Sequence, residues 1–90
     1  MEKIIGEYLW KEISPFCPEQ WEIFDKNNEQ IAYVRERWSN LVVFCPDING
    51  ELVLELGCNE HKQEVMSFED EILDAITEWK NREENIGKYD

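Results

Sequence analysis

Residues 30–45 read QIAYVRERWSNLVVFC, and the fold turns on how this stretch is phased. From 30 to 38 apolar and polar side chains alternate with period two, Ser39-Asn40 suits a tight turn, and 41–45 is an apolar run. Successive side chains of a strand point to opposite faces, so the pattern spells two antiparallel strands joined by a turn. The alternation extends both ways. QWEIFD at 20–25 precedes a KNNE turn, and ELVLELG at 51–57 follows a PDING turn; Asn and Gly accept the backbone angles that tight turns require. These segments predict a four-stranded antiparallel meander.

The turns also predict a register, with Asp25 opposite Gln30, Trp38 opposite Leu41 and Pro46 opposite Glu51. One face then gathers Trp21, Ile23, Ala32, Val34, Trp38, Leu41, Val43, Cys45, Leu52, Leu54 and Leu56, a predicted core that a one-residue slip would scatter. Glu36 is the misfit on that face. The opposite face carries Glu22, Phe24, Ile31, Tyr33, Arg35, Arg37, Val42, Phe44, Glu51, Val53 and Glu55.

The flanks read as helices. Ile4, Ile5, Tyr8, Leu9 and Ile13 fall at helical spacing with Glu2, Lys3, Glu7, Lys11 and Glu12 turned outward, and Ser14-Pro15 ends the run. Near the other end Ser67 is placed as an N-cap before Glu69, Asp70 and Glu71, which suit the positive end of a helix dipole. Phe68, Ile72, Ala75, Ile76 and Trp79 form that helix's apolar stripe, which is expected to run to about residue 84, leaving 85–90 as a flexible tail. The expected architecture is one α+β domain over residues 1–90, ordered α-β-β-β-β-α. Both helices lie on the Trp21/Trp38/Leu54 face, and the other face is at least partly open.

Twenty-one acidic residues against nine basic ones give the 90-residue chain a net charge of −12. Phosphate backbones and anionic lipids would be repelled, so neither direct nucleic-acid binding nor membrane binding is expected, whereas a basic protein surface would be attracted. The N-terminal stretch has acids inside its apolar run and does not read as a signal peptide, and no segment approaches transmembrane length. Three cysteines, an odd number, point to free thiols in a reducing compartment, the cytoplasm of a bacterium or of a cell infected by whatever encodes the chain.

Catalytic chemistry finds little footing. Cys58-x-x-His61 has the spacing of half a zinc site that Cys17 and Cys45 would have to complete, but Cys45 falls on the core face and no second ligand knuckle is present. A Cys/His nucleophile pair needs a third group to orient the imidazole. No Gly-rich phosphate loop, G-x-S-x-G or H-E-x-x-H occurs. We therefore expect no catalytic residue, no metal and no cofactor.

Two surfaces are candidates for binding. The first is the sheet face of Phe24, Ile31, Tyr33, Arg35, Arg37, Val42 and Phe44, rich in the residue types that dominate interface hot spots. The predicted register sets Arg35 opposite Phe44, where a guanidinium can lie over the ring. The plainer account has the arginine stems covering apolar surface and pairing with Glu22, Glu51 and Glu55. The second is the acidic helix face of Asp70, Glu71, Asp74 and Glu78, whose carboxylates form a phosphate-like row suited to a basic groove on a nucleic-acid-binding protein. A solvated helix face is its plain counterpart.

Pro18 to Asp25 (PEQWEIFD), then Tyr33, Arg35, Arg37, Pro46 and Asp47, resemble a pattern found in small proteins of phages and integrated elements of Gram-positive bacteria. That pattern runs P-E-Q-[WY]-E-V-F-D, a turn, G-Y-x-R-x-R, and an apolar strand ending in P-D. Ala32 stands where the pattern has Gly, and Trp38-Ser39-Asn40 replaces its His-Gly turn. The resemblance covers the middle third of the chain and carries no activity with it, but it implies an accessory protein that binds and blocks a host protein. The expected function is accordingly a non-enzymatic protein-binding module, an inhibitor or adaptor for a host protein with a basic surface. Two other readings stay open. One is a binder of anionic small ligands such as nucleotides through Arg35 and Arg37, and the other is a self-associating structural protein forming a homo-oligomer.

Overall fold

The first fourteen residues form two strands, not a helix. In the computed structural model, which describes residues 1–14, 19–37, 40–57 and 65–88, β1 (Glu2–Ile5) and β2 (Tyr8–Ser14) pair antiparallel across Gly6-Glu7, with Ile5 opposite Tyr8. Gly6 adopts φ +64°, and a two-residue loop with Gly first and φ positive matches the twist of the strands it joins. Tyr8 and Trp10 then alternate onto one face and are buried, Trp10 meeting Trp21 edge-to-face at 6.4 Å between ring centroids. The expected four strands with helices at both ends are thus corrected, among the described residues, to six strands with one C-terminal helix.

The sheet continues through β3 (Glu19–Phe24), β4 (Gln30–Arg37), β5 (Asn40–Cys45) and β6 (Glu51–Gly57), each paired antiparallel with the next in the order β1-β2-β3-β4-β5-β6. The β3–β4 pairing follows the expected register at Trp21–Val34 and Ile23–Ala32, until a bulge sets Phe24 opposite Gln30. The β4–β5 register differs from expectation by two residues: Tyr33, not Arg35, faces Phe44, and Arg37 faces Asn40. An even slip leaves every side chain on its own side of the sheet, so Val34, Leu41, Val43 and Cys45 remain buried. Between β5 and β6, Leu41–Leu56 and Val43–Leu54 pair as expected, but a bulge brings Leu52 opposite Phe44. Leu52, expected in the core, is therefore 46% exposed on the other face. Trp38 lies outside the described residues.

One layer covers the sheet. A 3-10 turn at Val65–Phe68 leads into α1 (Glu69–Lys88), and Val65, Ile72 and Ile76 join Trp10, Trp21, Ile23, Val34, Leu41 and Val43 in one core cluster. Burying each such side chain is worth about 1.5–3 kcal/mol, which makes this the main attachment of α1. Ser67 sits within the 3-10 turn instead of capping α1, and the helix continues beyond its expected end near 84 to Lys88. Glu19 is the polar clasp between layers: its Oε2 accepts from Trp21 Nε1 at 2.7 Å and its Oε1 from the Val65 backbone N–H at 3.2 Å. At the far edge Arg82 of α1 pairs with Glu51 of β6 at 2.8 Å. Among the described residues no helix is long and apolar enough to cross a membrane.

Candidate functional site

The sheet face turned away from α1 is organised in cross-strand rows. Glu22, Tyr33, Phe44 and Leu52 form one row, and Gln20, Arg35, Val42 and Glu55 the next, followed by Arg37 opposite Asn40. Among the described residues no second layer lies on it, yet Tyr33 is 4% and Val42 7% exposed. Tyr33 is held by its neighbours: its hydroxyl donates to Gln20 Oε1 at 2.5 Å, and its ring lies tilted 6.4 Å from that of Phe44. The two-residue slip thus replaces the expected Arg35–Phe44 contact by an aromatic pair.

Arg35, Arg37 and Asn40, with Val42 between them, line a shallow depression of about 230 Å³. Arg35 is half-buried and Arg37 exposed, and the Asn40 carboxamide donates to Glu55 Oε2 at 3.2 Å. Both guanidinium groups therefore sit on the open side, as the alternation requires. Ile31 does not belong with them. The β3–β4 bulge leaves it without a direct partner, and it is 6% exposed within the core cluster. Lys11 is the residue that the sequence pattern hid, because β2 reads as a helix; its Nζ lies 5.1 Å from the centroid of Phe24 on this same face.

On the opposite side of the molecule Asp70, Glu71, Asp74 and Glu78 are all exposed along α1, while Ile72, Ala75 and Ile76 point into the core. Two cations near the end of the helix meet groups of the sheet. Lys80 Nζ lies 5.6 Å from the Tyr8 ring centroid, and Arg82 reaches Glu51. Asp70, Asp74 and Glu78 follow one another every four residues, a rise of about 6 Å each. From Asp70 to Glu78 the row is single-signed, and Arg82, four residues further along it, is paired with Glu51.

Of the candidate thiols, Cys17 and Cys58 lie outside the described residues, as does His61. Cys45 is buried, and its thiol is pushed up from 9.0 to about 12, first by burial and then by Glu51, with Arg82 opposing. A thiol so protonated is a poor nucleophile and a poor metal ligand. Among the described residues no group of three His, Cys, Asp or Glu side chains is arranged to hold a metal ion.

No family model, curated protein or solved structure matches this chain.

Proposed function

We propose that this chain is a small, non-enzymatic protein-binding module whose acidic helix face engages a basic surface on a host protein. The observation that carries this reading is the run of exposed carboxylates from Asp70 to Glu78 on α1. Four carboxylates face solvent together, while Lys80 and Arg82 are turned toward Tyr8 and Glu51. Like charges at i and i+4 cost a helix a few tenths of a kcal/mol per pair, a cost offset when an oppositely charged partner binds. A row of carboxylates about 6 Å apart suits a groove that otherwise takes a nucleic-acid backbone. The resemblance of Pro18 to Asp25, Tyr33, Arg35 and Arg37 to a pattern of phage and integrated-element proteins supports an inhibitor or adaptor acting in a bacterial cell.

Capture from a bacterial lysate tests it, with a variant carrying Asp70→Lys, Glu71→Lys, Asp74→Lys and Glu78→Lys as the control. The native chain is expected to retain a basic protein at low salt and release it at high salt, because exposed charge pairs are screened within about 10 Å at 0.1 M. Equal retention by the charge-reversed variant, or none by either, would sink the reading.

A second reading, an anionic small-ligand site, is favoured by the depression between Arg35, Arg37 and Asn40. At about 230 Å³ it is smaller than ligand sites generally are and has room for a phosphate or carboxylate group, not a whole nucleotide. Inorganic phosphate at 100 times its dissociation constant should add about 2.7 kcal/mol of apparent stability. An unshifted melting temperature across phosphate and nucleotides would remove this reading.

A further inference from the structure

We propose that the open sheet face packs against the same face of a second copy of this chain. The product is a two-fold dimer with its two sheets in the middle and both acidic helices pointing outward. The inference goes beyond host-protein binding by α1 and uses the other side of the molecule.

Charge is the first argument. A chain of net −12 repels its own copies over most of its surface. Among the described residues of the open face, however, the pairing brings together three cations, Lys11, Arg35 and Arg37, and three carboxylates, Glu2, Glu22 and Glu55, whose formal charges sum to zero. The cations stand on β2 and β4 and the carboxylates on β1, β3 and β6, so the signs alternate across the first four strands. A face with interspersed signs can meet itself, each cation finding a carboxylate on the facing copy. A uniformly basic or acidic partner would find half of these charges opposed.

The apolar content and the size agree with this. Leu9, Phe24 and Phe44 are half-buried, and Ile4 and Leu52 are 78% and 46% exposed, so desolvatable surface runs from one edge of the sheet to the other. Six strands about 4.8 Å apart, with about six residues each at about 3.3 Å, give a flat footprint of roughly 500 Å². Side-chain relief raises the accessible area toward the roughly 800 Å² per partner of a standard interface. Tyr33, already only 4% exposed and held by Gln20 and Phe44, needs no further ordering on association. Two such sheets stack about 10 Å apart in the aligned packing of β-sandwiches.

Sedimentation equilibrium of the whole chain at about 100 μM, well above a micromolar dissociation constant, tests the proposal. The expected mass is twice the 10.8 kDa of the chain. Leu52→Glu and Arg35→Glu, which alter side chains with room at the surface, are expected to raise the dissociation constant at least about tenfold with far-UV circular dichroism unchanged. Asp74→Lys on α1 is expected to leave the dimer no weaker. A single-chain mass at this concentration overturns the proposal, and so does a dimer that both sheet-face variants leave intact. A dimer broken by Ile4→Pro but by neither of them identifies edge-to-edge pairing of β1 and overturns it as well. Loss of host-protein capture by the α1 variant alone leaves this result untouched, so the two readings fail separately.

Discussion

Glu19 joins sheet to helix with one carboxylate, taking an indole N–H from its own strand and a backbone N–H from the turn that launches α1. Hydrogen bonds to a charged acceptor contribute about 1.5–3 kcal/mol, so Glu19→Ala is expected to cost that much in urea unfolding. Its cross-strand neighbour is Glu36, the residue that alternation alone places awkwardly among apolar ones. Position 36 does lie on the α1 side, opposite Leu41, but near the strand end and only half-buried, so its carboxylate reaches water. Two carboxylates directly opposite oppose each other, and Glu36→Lys is expected to stabilise the fold by about 0.2–1 kcal/mol. Cys45 offers a pH-dependent test. Its folded thiol holds a proton to about pH 12 while an unfolded one releases it near 9, so stability falls as pH rises through that window. At pH 8 the native chain should resist iodoacetamide at Cys45, as read by peptide mass spectrometry, and react only once unfolded.

At the scale of elements, strands β3 to β6 are legible in the sequence, but the six-stranded extent of the sheet and the two-residue pairing choice are not. Period-two alternation marks which side chains share a face, but registers that differ by two satisfy it equally, and only packing chooses between them. That is why Tyr33 meets Phe44 where Arg35 was expected, while Arg35 and Arg37 keep the open face. The bulges are invisible to alternation for the same reason, and they move Leu52 out and Ile31 in. The N-terminal hairpin is hidden because Ile4, Ile5, Tyr8 and Leu9 satisfy a helical period by coincidence, the faces reversing across Gly6-Glu7. Trp10 was the available signal, since it has no place in that helical stripe and is fully buried in a strand. Gly6→Val forces a branched side chain into φ +64° and is expected to cost about 1–3 kcal/mol in chemical denaturation. An α-helical start would instead be strengthened by removing a glycine, so the sign of the change separates the two structures.

At the scale of the whole molecule, a two-layer fold with α1 on one side sorts the charge. The acids of α1 face one way, and a neutral, aromatic sheet face looks the other. The helix stripe was legible because its apolar and acidic residues follow one period. The membership of the sheet face was legible in Tyr33, Arg35, Arg37, Val42 and Phe44, but Lys11 and Asn40 emerged only with the true strands. The measurement that bears most directly on the division of roles is an NMR titration of the native chain with an oligolysine peptide at low salt. Amide shifts are expected to concentrate on residues 69–83 of α1 and to vanish as salt is raised, leaving β4 and β5 unmoved. Shifts centred on residues 33–44, or spread evenly over every acidic loop, would contradict it.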